Sequence, residues 1–377
     1  MTERSTPLRV LHLASWYPSE AHGTLGNFVQ RHVEAVATVT RSEVWYVAQG
    51  RSRVERRTVR GVEECIVYQP KSWWPWGLTF TRALLRLARK ADRPDVLHVH
   101  VLYPAGMAAR WLARRWGIPM VVTEHWTAYH PDQRVRLPRA RRWAMRWAGR
   151  GADRLCPVTE QLGGSMARFG LNAPIQAVPN VVDTSLFQPQ PRATPLVLLH
   201  ISSLVDDQKN VTGLLHAFRA IRDQLPAGTT LDIIGDGDPR PHAATAAALG
   251  LGASVRCSGE IPLSEVAERM ARARAVLLFS RYENFPCVIP EAWAAGTPVL
   301  VTDVGGIREH VPVWPSPSDR GWCTPSEDPS TWGTALVELL QQTPDADRLH
   351  AHSEAHFSVP AIAEAYLAVY HQVLGHG

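Results

Sequence analysis

Cysteine is scarce and scattered in these 377 residues: Cys65, Cys156, Cys257, Cys287 and Cys323, an odd number with no Cys-x-x-Cys pair. That argues against a disulfide framework or a cysteine zinc site, and it fits reduced thiols in a cytosol. No window holds 18 consecutive apolar residues, so no membrane-spanning helix is expected. The opening residues lead straight into the apolar run Leu8–Ala14, and no signal peptide is expected. There is no short-period repeat and no low-complexity tract. A Gly-x-Ser-x-Gly elbow is also absent, which weakens a serine-hydrolase reading. Ile233-Ile-Gly-Asp-Gly-Asp-Pro-Arg240 follows a predicted strand, but Arg240 stands where a dinucleotide fingerprint needs its third glycine. Nicotinamide and flavin are therefore not expected. His98-Val-His100 puts two imidazoles on one face of a strand. Without further ligands at useful spacing, no metal is expected there, and His100 is a candidate polar contact to a substrate.

What is present begins with size and charge. The length suggests about two domains, and 45% hydrophobic residues suffice for their cores. Residues 1–185 carry 27 Lys and Arg against 14 Asp and Glu, whereas residues 186–377 carry 13 against 21. A basic half joined to an acidic half points to two domains with different partners. The basic half should meet something anionic, such as a membrane surface, a lipid diphosphate or an acidic polysaccharide. Two segments combine arginine with tryptophan in the manner of interfacial helices: residues 73–90 and residues 139–150. No nucleic-acid-binding module is recognisable.

Apolar strands alternate with helical stretches in both halves, the pattern of α/β domains with parallel sheets. In the first half the predicted strands are Leu8–Ala14, Val44–Ala48, Asp95–Val99, Ile118–Thr123, Arg154–Pro157 and Ile175–Val178. In the second they are Leu196–Ile201, Thr230–Ile234, Val255–Ser258, Ala275–Phe279 and Val299–Thr302. Predicted helices include Asn27–Ala37, Leu78–Lys90, Tyr103–Trp116 and Pro286–Ala295. The Pro-rich stretch Phe187–Pro195 reads as a linker. The expected division is 1–187, 188–357 and a closing helix, 358–377, that could pack back on the first domain.

The most informative stretch runs from Ser280 to Leu300 and holds Glu283 and Glu291, eight positions apart. Glu283 falls in the loop at the carboxyl end of a predicted strand, where ligands bind in open α/β sheets. The N–H groups of Phe285 to Val288 at the following helix start would form an anion site. One carboxylate in the loop and one on the helix can hold two hydroxyl-bearing parts of a ligand, with a phosphate between them.

This block resembles the Glu-x7-Glu signature of the family-4 retaining glycosyltransferases. Glu291-Ala, Gly296-Thr-Pro-Val and Gly305-Gly306-x-x-Glu309 follow in the family's order. The resemblance implies the GT-B fold, two Rossmann-like domains facing across a cleft, and transfer of a sugar from a nucleotide-diphosphate donor with retention. It implies that Glu283 orients donor-sugar hydroxyls and Glu291 binds ribose. Main-chain groups from Asn284 through Phe285, Pro286 and Cys287 to Val288, with Lys209, would stabilise the leaving diphosphate. Ser203 stands where many members carry an arginine, and a hydroxyl cannot replace a guanidinium fork. His125, in Thr123-Glu124-His125, resembles the histidine that faces the donor sugar. Gly26, in Thr24-Leu-Gly-Asn-Phe-Val-x-x-His32, resembles the glycine where backbone approaches donor phosphate and acceptor. The Gly-Asp-Gly loop resembles a structural element of the family. A cytoplasmic enzyme with no metal or other cofactor is implied, taking a UDP- or GDP-sugar and a glycan or lipid-linked acceptor, with no nucleic acid partner. A nucleotide-sugar epimerase or phosphorylase of the same fold, and a noncatalytic membrane-docked sugar-binding protein, remain as alternatives.

Overall fold

Short runs of Val, Ile and Leu, buried on both faces, form the strands of two sheets. The computed structural model describes residues 7–71, 73, 75–130, 137–324 and 328–375. The chain divides into two units, one up to Val181 together with Val359 onward, the other Val182–Ser358.

The first unit holds β1 (Arg9–Ala14), β2 (Arg41–Gln49), β3 (Arg53–Val59), β4 (Val62–Gln69), β5 (Val96–His100), β6 (Met120–Glu124) and β7 (Arg154–Pro157), in the order β3-β4-β2-β1-β5-β6-β7. Only the β3–β4 pair is antiparallel. β3, Arg-Val-Glu-Arg-Arg-Thr-Val, escaped the sequence reading because it is charged and largely exposed, as suits a sheet edge, and β4 escaped it although most of its residues are buried. The predicted strand Ile175–Val178 is reduced to one bridge, Leu155 to Ile175: the N–H groups of Gln176 and Val178 donate to Leu155 O and Pro157 O, both at 2.9 Å, but Pro157 has no N–H with which to complete the next bridge. The closing helix, Val359–Leu374, belongs to this unit, with Ile362, Tyr366, Val369 and Tyr370 packed against Val10, Val36, Val96 and Val121.

The second unit holds β8 (Val197–Ser202), β9 (Thr230–Gly235), β10 (Val255–Ser258), β11 (Ala275–Leu278), β12 (Val299–Thr302) and β13 (Gly321–Thr324), in the order β10-β9-β8-β11-β12-β13 and all parallel. Each sheet therefore reverses its direction of growth once, between β1 and β5 and between β8 and β11. Such switch points are where open α/β sheets bind ligands.

The unit boundary falls before the expected 187/188. Val182 N–H donates to Phe357 O at 2.8 Å, and Phe187 is fully buried in the second core. The Pro-rich stretch is not a loose linker. Arg192 donates to the carbonyls of Ala273 at 2.5 Å and Gly296 at 2.7 Å, supplying partners to chain ends after two helices.

Candidate active site

At the switch point of the second unit, two loops meet. The segment after β8 carries Lys209 at the end of a short helical turn, Asp206–Lys209. The segment after β11 carries Glu283. Lys209 Nζ donates to Glu283 Oε1, and both side chains are largely buried. An ion pair this withdrawn is held by its surroundings. Arg281 stitches the loops together: its N–H donates to Gln208 O at 2.8 Å, and its guanidinium to Asp206 O at 2.7 Å and to Asn210 Oδ1. Gln208 in turn donates to Tyr282 O at 3.3 Å.

A third loop supports the carboxylate from behind. Gly305 has φ +60°, and a β-carbon there would lie 1.9 Å from Glu283 O. Gly306 N–H donates to Asn284 O at 3.1 Å. The Gly-Gly pair thus lets backbone pack on backbone directly behind Glu283.

The helix after this loop starts later than expected, spanning Val288–Ala294 with Cys287 as N-cap. Pro286 has no N–H, so the main-chain donors of the expected anion site are narrowed to its neighbours Phe285, Cys287 and Val288. The Phe285 ring faces inward, its centroid 4.4 Å from that of His310 and 5.6 Å from that of Phe357. Glu291 is buried within the helix. Ser203 lies beside the Gly-Asp-Gly loop, where a β-carbon on Gly237 would stand 2.5 Å from Ser203 O and one on Gly235 1.9 Å from Ser202 O. Those glycines allow two loops to touch. His200, held by burial well below its usual range at about 4, is neutral and bonds Leu277 O and Ser202 Oγ, both at 2.8 Å.

In the first unit the switch point lies between the loops after β1 and β5. Gly26, φ +73°, caps the helix Asn27–Ala37, and a β-carbon there would lie 2.6 Å from the Trp16 carbonyl carbon. Its glycine is required by the chain's own loop. Val101, just after β5, is a β-branched residue at φ +61°. It is held there by Ser15 Oγ, which donates to Val101 O at 2.5 Å. Strain of this kind costs about 1–3 kcal/mol and gathers at functional sites.

Glu124 is completely buried and accepts from Leu102 N (3.0 Å), His125 N (2.9 Å), Trp126 N (2.9 Å) and Tyr129 OH (3.0 Å). It is a brace for the His125 loop. Burial raises its carboxyl above the usual range against the pull of those donors. The His125 ring centroid is 4.5 Å from that of Phe28 and 5.1 Å from that of His32. Burial first, then His32, hold His125 well below the usual histidine range, while a hydrogen bond with Asn180 opposes them. A buried chain continues behind it: His32 Nε2 to Asn180 Oδ1 at 3.4 Å, His32 Nδ1 to Tyr366 OH at 3.1 Å, and Tyr366 OH to Thr123 Oγ1 at 2.9 Å.

His100 lies deep in the sheet rather than on an open surface. His12, His98 and His100 place ligand atoms within 4.8 Å of one another, and His12 was missed because strand pairing, not spacing, brings it there. The nitrogens of His12 face His100 and Ser42 Oγ, and those of His98 face Tyr370 OH and Thr123 Oγ1. His100 Nδ1 is buried without a hydrogen-bond partner among the described residues, whereas the other ring nitrogens of the cluster are engaged in this hydrogen-bonded ladder.

The family model described as Glycosyltransferase Family 4 matches residues 26–186, and Glycosyl transferases group 1 matches residues 195–342. A D-inositol 3-phosphate glycosyltransferase of Thermobispora bispora is 30% identical over 75% of this chain and 71% of its own length. The chain belongs to the family-4 glycosyltransferases. Two solved structures share the GT-B fold. Sucrose-phosphate synthase from Thermosynechococcus elongatus has a TM-score of 0.80 at 18% identity, covering 98% of this chain and 100% of that one. Anabaena HepE in complex with UDP and glucose has a TM-score of 0.74 at 17% identity, covering 96% and 99%. In this family-4 glycosyltransferase, sequence reasoning missed Arg281, Glu124, Asn180 and Tyr366. Arg281, Asn180 and Tyr366 act through partners far away in the chain, and Glu124 acts mainly through the main chain of the loop that follows it, so no local pattern assigns them these roles.

Proposed function

We propose that this glycosyltransferase takes its sugar from a nucleoside-diphosphate sugar, UDP- or GDP-linked, and passes it with retention to a glycan or lipid-linked acceptor. The observation that carries the reading is the buried Lys209–Glu283 pair at the switch point of the second unit, in the loop that leads into the helix carrying Glu291. Glu291 would bind ribose hydroxyls and Glu283 hydroxyls of the donor sugar. Lys209 has three donors, so it can keep Glu283 and still reach a phosphate oxygen. With the N–H groups of Phe285, Cys287 and Val288 it would stabilise charge on the departing diphosphate, a preorganised electrostatic contribution. Asn284 completes the loop, and Ser203 offers a hydroxyl. No metal is assigned, because Lys209 and main-chain N–H groups supply the positive potential. In the first unit, His125 would contact the reacting sugar and Gly26 would shape the acceptor side. The acceptor hydroxyl would attack on the face the leaving phosphate vacates, with that phosphate taking its proton. The HepE complexes with UDP and UDP-glucose support a nucleotide donor by analogy of fold.

The test is thermal unfolding with UDP, GDP and ADP, followed by nucleotide release from the matching nucleotide sugar. One nucleotide at 100 times its Kd should add about 2.7 kcal/mol of stability. Failure of every nucleoside diphosphate to stabilise the protein would remove the donor assignment. A sugar altered without any acceptor would favour an epimerase.

A further inference from the structure

The first unit contains a cavity of about 410 Å³ at its own switch point, within the size range of small-molecule sites. The loops after β1 and β5 form its floor, through Trp16, Ser19 and Tyr103, and Trp76, Trp126 and Arg141 contribute walls. Trp16 and Trp126 meet edge to face, with centroids 6.0 Å apart. This arrangement presents flat apolar rings around a space lined by few polar groups. Two of those polar groups are unusual. Ser19 is 7% exposed, and its Oγ is buried with no hydrogen-bond partner, a condition that calls for a ligand or water. Arg141 stacks over Tyr103, its guanidinium carbon 5.1 Å from the ring centroid, and has no carboxylate partner among the described residues. Among the described residues no acidic side chain lines the cavity. The strained Val101 lies beside it, between the β5 strand and Tyr103.

The chemistry of the lining restricts the occupant. A sugar ring shows apolar C–H faces that stack on indole and phenol rings, while its hydroxyl edge needs a few donors and acceptors. A guanidinium at the wall with no carboxylate partner among the described residues adds a demand for negative charge, and its fork suits phosphate or carboxylate oxygens. We propose that this cavity receives the acceptor, and that the acceptor is a saccharide bearing an anionic group: its ring lies on the Trp16–Trp126 wall, its hydroxyls reach Ser19, and its anion pairs with Arg141. The proposal rests on the transferase reading above and deepens it. A soluble sugar phosphate or sugar acid, and the phosphate of a lipid-linked sugar, share this chemistry.

The experiment titrates the full chain with glucose, glucose 6-phosphate and glucuronate, following tryptophan fluorescence. A parallel arm uses phosphatidylcholine vesicles carrying a glucosyl phosphoryl polyprenol, against vesicles without it. At least one charged probe should bind ten-fold or more tighter than glucose. Arg141→Gln should abolish that preference, and Ser19→Ala should weaken charged and uncharged sugars alike. Preference confined to the vesicle arm assigns the anion to a lipid carrier; preference in the soluble arm assigns it to a free sugar. Equal binding of all probes, binding of none, or a preference that survives Arg141→Gln overturns the proposal. Nucleoside-diphosphate binding, read separately by thermal shift, shows whether the donor reading stands or falls on its own.

Discussion

Replacing Glu291 with alanine removes a buried carboxylate from a helix that otherwise packs in the core through Ile289, Ala292 and Trp293. Charge-assisted hydrogen bonds contribute about 1.5–3 kcal/mol, so donor affinity should fall roughly ten- to a hundredfold while the fold persists. Titration calorimetry against the nucleotide identified by thermal shift checks this, and unchanged affinity would take Glu291 out of the site. Gly305 makes a different demand. An alanine there must both hold φ +60° and displace the Glu283 carbonyl, 1.9 Å from the new β-carbon. Gly305→Ala should cost at least about 1 kcal/mol of stability and also weaken donor binding, because the displaced segment carries Glu283. Thermal unfolding and calorimetry on the same variant measure the two effects together. Wild-type behaviour in both would show that this loop does not support the site.

The helix Val359–Leu374 makes polar contacts that could not be read locally. It returns to the first unit and sends the Tyr366 and Tyr370 hydroxyls into the buried polar ladder. Through His32 and Asn180, Tyr366 reaches the environment of His125. Tyr366→Phe leaves Thr123 and His32 short of a partner, a loss on the order of 1–3 kcal/mol where the groups are buried. Turnover should drop several-fold while nucleotide affinity, which the proposed function assigns to the second unit, stays the same. If kcat is untouched, Tyr366 serves stability alone. The two Trp–Arg segments differ as elements. In the helix Trp76–Leu87 the apolar stripe expected at a membrane is core, with Phe80 and Leu84 fully buried; Trp73 before it is exposed, and Trp74 lies outside the described residues. In the helix Arg139–Gly149, Ala144, Met145 and Ala148 face inward and Trp143 is 66% exposed. A groove of about 400 Å³ there is lined by Arg139, Arg142, Arg146 and Arg150 with Trp143 and Trp147. This helix, rather than the earlier one, suits an anionic surface.

At the scale of the molecule, two properties follow from charge. The basic residues are concentrated before position 186, and we expect salt-sensitive binding to vesicles containing anionic lipid, at about 1 kcal/mol for each Lys or Arg near the surface. Arg139, Arg142 and Arg150, all exposed, can be changed to Glu together without touching Arg146, whose Nε donates to Phe169 O at 2.7 Å. Cosedimentation should be lost in that variant, and its absence in the wild type at low salt would end the idea. The second property is acid lability of the first unit. Burial lowers His12 to about 3 and His32 to about 4, and His98, His100 and His125 also lie well below 6.5. Unfolding releases these imidazoles to protonate, so the folded state is favoured above pH 6.5. Stability falls as pH drops from 6.5 towards 4 or 3, by about 1.4 kcal/mol per pH unit for each histidine. Denaturant midpoints from pH 7 to 4 measure it, and a flat profile would contradict burial of the cluster. The paired α/β sheets and the segment holding Glu283 and Glu291 were legible in the sequence, because periodicity and a contiguous motif are local properties. Tertiary structure alone decided that Lys209 meets Glu283, that Gly305 supports it, that Arg192 ties the supposed linker to the second unit, and that His12 joins His98 and His100. Those facts depend on strand order and loop packing between residues tens to hundreds of positions apart, and one-dimensional spacing carries no record of them.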